Sequence, residues 1–128
     1  DTVWNKSQVN GCKGDGGKFI GSRWKDCVVT DSTFRYGNFS KSQWSRSTLT
    51  GCDLQEAALA EARVAGLEAH STSFLGVDFF RTSLKGVDLS DCQIQGITVS
   101  ESLQELRGLR INPGQAVDLV PLMGIQLL

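Results

Sequence analysis

Few residues of this 128-residue chain have the type and spacing that catalysis needs. The single histidine is His70. A general base needs a nucleophile or an orienting acid converging on it in a pocket. His70 follows an inward apolar position, so it is read as an outward, solvated residue. Ser22-Arg23-Trp24-Lys25 fits the spacing of a serine nucleophile and a lysine base, but that pairing needs a helix, and the local pattern is not helical. The glycine run from Gly11 to Gly17 does not open a helix and so cradles no phosphate. Cys12, Cys27, Cys52 and Cys92 contain no CxxC spacing, which argues against zinc. Asn5-Lys6-Ser7 and Asn38-Phe39-Ser40 match glycosylation sequons, which are idle in a cytosolic chain. No convergent polar set emerges. The expectation is a chain that is not an enzyme, with no catalytic residues, no cofactor and no metal.

The elements that position these residues follow from a period of five. Trp4, Val9, Phe19, Trp24, Val29, Phe34, Phe39, Trp44, Leu49, Leu54, Leu59, Val64, Phe74, Phe79, Leu84, Leu89, Ile94 and Val99 recur at this interval, and only Gly14 and Ala69 break the series. Two residues before each stands a mostly small one, such as Ser22, Cys27, Ser32, Cys52, Ala57 or Thr72. Residues two apart on an extended segment share a side, so each block turns one small and one large residue inward. A helix cannot hold this register, because at about 100° per residue the repeat walks around the axis. A flat strand cannot hold it either, because an odd interval alternates faces. The chain must therefore turn within every block.

Cys52-Asp53-Leu54, Val77-Asp78-Phe79 and Val87-Asp88-Leu89 resemble the A(D/N)Lxx repeat of the pentapeptide-repeat proteins, and the likeness runs over residues 2–101. The resemblance implies an all-β fold: a right-handed quadrilateral β-helix of about five coils, four blocks to a coil. Residues 1–101 would form this β-solenoid, roughly 24 Å tall at the spacing of stacked strands, and residues 102–128 a C-terminal cap with a short helix. In that 20-residue frame Trp4, Trp24 and Trp44 form one column, whose rings can stack with an offset. Leu67 and Ala69 exchange large for small within one block, which keeps the core volume. Gly14 removes a core side chain, and the first coil is expected to be the loosest. Cys12, Cys52 and Cys92 fall two coils apart, too far for a disulfide, and all four thiols are expected free and buried. Unpaired cysteines point to a reducing, cytoplasmic setting.

The same frame sorts the charges that the formal net charge of −1 conceals. Arg23, Lys25, Arg46, Arg63 and Lys85, with Lys6, form a candidate interaction ridge opposed only by Asp26. The next face carries Asp31, Glu68, Asp88 and Asp91 and no Lys or Arg. Such a ridge suits an acidic protein or a phosphate backbone; the overall balance makes nucleic acid the less favoured partner. Some family members bind DNA gyrase and topoisomerase IV by imitating duplex DNA. Only four carboxylates stand on the acidic face here, so a type II topoisomerase is the alternative partner and an unassigned protein the first reading.

Beyond Val99 the period ends. Leu103, Leu106 and Leu109 suggest a short helical turn and a last strand-like edge. Asn112-Pro113 with Gln115 forms a capping-box signature, and Gly124 a C-terminal stop. An apolar stripe through Leu119, Leu122 and Met123, continued by Ile125 and Leu127, serves as a lid over the last coil. The segment also resembles the C-terminal helix of quinolone-resistance pentapeptide proteins, through Gln115-Ala116 and Met123-Gly124-Ile125, and this implies a homodimer joined at that end. No apolar run is long enough for a membrane span and no secretory signal is read at the start. The chain opens on Asp1 without a methionine, as a processed form or a fragment would, and the sequence leaves open whether a coil or cap precedes it.

Overall fold

The turns come first, because a chain that bends in every block must place its backbone in a special region each time. The computed structural model describes residues 2–128. The residue just before most small inner positions of the coil has a left-handed backbone. Gly51 and Gly76 take it without a Cβ, at φ of 64° and 67°. Lys41 and Glu61 hold the same conformation with a full side chain, at φ of 62° and 55°, which costs roughly 1 kcal/mol or more at each.

Short strands run between the turns: β1 (Val3–Asn5), β2 (Gln8–Asn10), β3 (Arg23–Lys25), β4 (Val28–Thr30), β5 (Gln43–Ser45), β6 (Ser47–Thr50) and β7 (Leu67–His70). Every pairing is parallel and offset by one coil. Trp4 lies against Trp24 and Trp24 against Trp44 in the sheet β1-β3-β5. Val9, Val29, Leu49 and Ala69 follow each other in β2-β4-β6-β7. Two further sides are joined by single bridges, Lys13–Thr33–Asp53–Ser73–Gln93 and Lys18–Asn38–Ala58–Asp78–Thr98. The result is the four-sided β-solenoid that the resemblance implied. Regular strand pairing covers about three turns, fewer than the five coils counted from the sequence; higher up, single bridges carry the ladder.

The interior is a set of columns. The Trp4 and Trp24 rings stand 4.9 Å apart and 7° from parallel, and the Trp24 and Trp44 rings 4.7 Å and 4°. Phe19 stacks on Phe39 at 4.7 Å beside them. Serine at the small position has a specific task here. Trp24 Nε1 donates to Ser22 Oγ at 2.9 Å and Trp44 Nε1 to Ser42 Oγ at 3.0 Å. Thr2 stands at that position two residues before Trp4, and among the described residues Trp4 Nε1 is buried without a partner. Elsewhere the small residues are hydrogen-bond donors as much as spacers. Ser47 Oγ, Cys27 Sγ and Cys52 Sγ each donate to a carbonyl one coil below, those of Trp24, Trp4 and Val29. Ser32 and Ser47 also accept the N–H of Cys12 and Cys27 from the coil beneath. Leu67 and Ala69, the exchanged pair, are both buried.

Two expectations about the first coil change. Gly14 leaves no void: a Cβ there would meet the Phe34 ring at 2.8 Å, so neighbouring aromatics fill the space. Cys12 is exposed rather than buried, while Cys27, Cys52 and Cys92 are buried. Trp4, Val9 and Phe19 are likewise only partly covered, since among the described residues nothing lies beneath them.

The ladder is interrupted once. Arg63 bridges down to Gln43, and Asp88 bridges up to Arg110, but among the described residues no bridge joins 62–71 to 82–91. Gly66 lies directly on the coil below, where a Cβ would fall 2.7 Å from Ser45 Cα. Thr82 Oγ1 spans the break, donating to Leu59 O and accepting from Ala62 N.

Replacing Phe79 by Ala should cost about 3–5 kcal/mol in urea unfolding, because a closed column cannot collapse into the gap; a near-neutral change would contradict its inward position. The thiols differ as well. Burial raises those of Cys52 and Cys92, the latter to about 11. Alkylation of the native protein should therefore label Cys12 first, with the other three reacting only after unfolding.

Candidate functional site

The basic ridge is a property of the register. Pairing of β3 with β1 and β5 sets Arg23 between Val3 and Gln43, and Arg63 follows Gln43 above. Lys25 lies between Asn5 and Ser45. Arg46 occupies a left-handed turn and is not free, since its Nε donates to Asp26 Oδ1 at 2.7 Å. That hydrogen bond raises Arg46 above its ordinary value and holds the Asp26 carboxyl below the usual range. Both partners face water, where such a pair contributes little. Lys85 stands apart from this group, packed against Gly108 of the cap, where a Cβ would fall 2.9 Å from Lys85 Cγ.

The acidic residues spread over the neighbouring face and are not alone there. Asp31 sits in a left-handed turn against Gly51. Glu68 lies in β7 beside His70, whose Nε2 is 3.8 Å from Glu68 Oε2 and whose Nδ1 is 3.6 Å from Asp91 Oδ2. Asp88 pairs through its backbone with Arg110. Its carboxyl is held below the usual range by Ser90, with a smaller contribution from the Arg110 charge. A cleft of about 350 Å³ opens here, where the ladder is interrupted, lined by Glu68, His70, Asp88 and Arg110 among others. The expectation of a face without Lys or Arg is corrected by Arg110. The sequence period ends before that residue, so no face could be assigned to it.

The cap is built on two buried polar side chains. Backbone N–H groups of Arg81 and Ser100 would meet carbonyls of a further coil; instead both donate to Glu105 Oε2, at 2.9 and 2.8 Å. Ser100 Oγ donates to the other oxygen at 2.9 Å. On the opposite account, the carbonyls of Leu89 and Cys92 accept from Gln115 Nε2, each at 2.8 Å. Gln115 Oε1 takes the Asn112 N–H and Asn112 Oδ1 the Gln115 N–H, the expected capping box. A half-coil precedes it: Leu84, Gly86 and Leu89 donate to Glu105, Gly108 and Arg110. The offset between Asp88 and Arg110 exceeds the coil length by two residues. Helix α1 (Ala116–Leu119) is one turn long between 3-10 turns at Pro113–Gln115 and Val120–Met123, and Gly124 ends it at φ of 77°. Leu119 and Leu122 pack against the core, while Met123, Ile125 and Leu127 are exposed.

The family model for pentapeptide repeats matches residues 30–66, with 8 copies of the repeat. With the 20-residue coil, this decides the family. The chain is a pentapeptide-repeat protein. Its fold resembles that of the pentapeptide repeat protein Rfr23 from the cyanobacterium Cyanothece, at a TM-score of 0.76 and 12% identity, over 87% of this chain and 88% of that one. It also resembles a pentapeptide repeat protein of the Arabidopsis thaliana thylakoid lumen, at a TM-score of 0.61 and 16% identity, over 91% of this chain and 77% of that one. At these identities the likeness speaks for the fold. No curated protein matches the sequence at a significant level.

In this pentapeptide-repeat protein the register brings Arg23 and Arg63 into one column, and leaves Arg46 paired and Lys85 against the cap. Glu105 carries no signal in the sequence, because its role depends on where the last full coil stops.

Glu105 also gives a pH dependence. Burial alone would raise its pKa, but the N–H groups of Arg81 and Ser100 outweigh burial and hold the carboxyl below its ordinary 4.5. A depressed folded pKa stabilises the fold above the unfolded value and is lost as pH falls through the folded one. Replacing Glu105 by Gln should cost about 1–3 kcal/mol at neutral pH, since the two edge N–H groups lose a charged acceptor and an NH2 replaces the oxygen that takes the Ser100 hydroxyl. The variant should also lose stability less steeply on acidification. An unchanged slope in urea titrations would exclude this role.

Proposed function

We propose that this protein is a non-catalytic interaction module: a rigid four-sided coil that pairs with a second copy at its C-terminal end and offers its charged faces to a partner protein. The apolar strip on the outer side of the cap carries this reading. Val117, Met123, Ile125, Leu127 and Leu128 are exposed, whereas Leu119 and Leu122 already close the core. The lid is thus complete without the strip. A second copy presenting the same strip removes both from water symmetrically.

A protein is favoured over nucleic acid as the partner of the faces. Arg46 is tied to Asp26, Gln43 separates Arg23 from Arg63, and the formal net charge is −1. A type II topoisomerase draws no support from the acidic face, within which Arg110 and His70 stand. The three buried free thiols fit a reducing compartment, the cytoplasm. No helix is long and apolar enough to cross a membrane.

Light scattering of the purified protein should give twice the chain mass, and Met123→Glu or Leu127→Glu should give the single-chain mass with an unchanged circular dichroism spectrum. A single-chain mass for the unaltered protein at every concentration overturns the pairing. Gyrase supercoiling of relaxed plasmid should proceed unaffected; inhibition would replace the unassigned partner with a topoisomerase.

A further inference from the structure

A groove of about 580 Å³ runs between the last full coil and the cap, lined by Arg81, Lys85, Arg107, Ser83, Gln104 and Glu105, with Ser100 at its side. Its volume lies in the range of small-molecule sites. Its electrostatics are one-sided. Arg81, Lys85 and Arg107 form no ion pair among the described residues. The one carboxylate present, Glu105, is occupied from within, by the N–H groups of Arg81 and Ser100 and by the Ser100 hydroxyl. Three cations against one carboxylate leave the lining with an excess of two positive charges.

The backbone that carries the cations is held by the cap, and the three side chains are exposed. Arg81 is fixed through its backbone to Glu105, and its guanidinium lies 5.1 Å from the centre of the Phe80 ring. The Lys85 stem rests on Gly108, whose left-handed turn leaves no room for a side chain. Arg107 follows the 3-10 turn Gln104–Leu106 on the same cap segment. Glu105 thus closes the coil edge and joins the backbone on the two sides of the groove. Ser83 and Gln104 add neutral hydrogen-bonding groups at the rim.

We propose that this groove binds a small phosphate monoester, whose two negative charges match the excess and whose oxygens suit the forked donors of Arg81 and Arg107 with the Lys85 ammonium. The site is distinct from the faces and from the apolar strip, and it does not depend on pairing of two copies.

The test is calorimetric titration of the whole protein with ribose 5-phosphate and, separately, inorganic phosphate, at constant ionic strength. Saturable one-to-one binding of ribose 5-phosphate is expected. Lys85→Gln and Arg107→Gln should each weaken it about tenfold or more, as loss of a charge-assisted hydrogen bond does. Both leave the Glu105 bonds intact, and their circular dichroism should match that of the parent protein. Lys18→Gln, exposed on another side of the coil, should bind as the parent does. Inorganic phosphate that competes for the same site locates recognition on the phosphoryl group. Absence of saturation, or equal weakening by Lys18→Gln, overturns the proposal. So does binding of duplex DNA, sensitive to Lys85→Gln, without binding of the monoester.

Discussion

Everything in this molecule answers to the hydrogen-bond ladder between successive coils. Each extended piece is only three or four residues long, too short to be stable alone. Its N–H and C=O groups find partners one coil away, above and below. That requirement fixes the offset, and the offset fixes the rest. Like residues stack on like, so tryptophans lie on tryptophans and phenylalanines on phenylalanines. Turns recur at one position of the block, and their left-handed backbone is tolerated because the ladder on both sides holds it.

A ladder that repeats without limit must be stopped at its end, and the stop here is chemical as well as steric. The upper edge presents both donors and acceptors. Glu105, which can only accept, takes two edge N–H groups; the Gln115 amide donates to two edge carbonyls. The choice of an acid for one role and an amide for the other follows from the sign of the groups left over. The short apolar segment from Leu119 to Leu122 then covers the side chains that the polar pair leaves exposed.

The columns and the inward pair of each block were legible in the sequence because they are periodic, and a period survives local exceptions. The Leu67–Ala69 exchange was read correctly for that reason. What a residue does at an exception was less legible. Gly14 reads as a missing side chain, yet Phe34 occupies its place, and that depends on how two rings tilt rather than on the spacing. Cys12 shares its inner position with three buried thiols and differs only in what lies beneath it. Beyond Val99 the signal vanishes altogether. Two extra residues shift the half-coil, which brings Arg110 onto the acidic face and Glu105 onto the upper coil edge. Capping signals are local, so Asn112 and Gln115 could still be recognised there.

The interruption between residues 62–71 and 82–91 has a mechanical consequence. A solenoid behaves as a row of units, each coupled only to its neighbours. Where two of the four sides lose their bridges, that coupling weakens, and the row divides into a lower block rich in strands and an upper block welded to its cap. The two remaining sides, through Ser73–Gln93 and Asp78–Thr98, alone continue the ladder between the blocks. The cleft beside His70 lies at this storey, above the tryptophan stack, and below it all four sides keep their bridges.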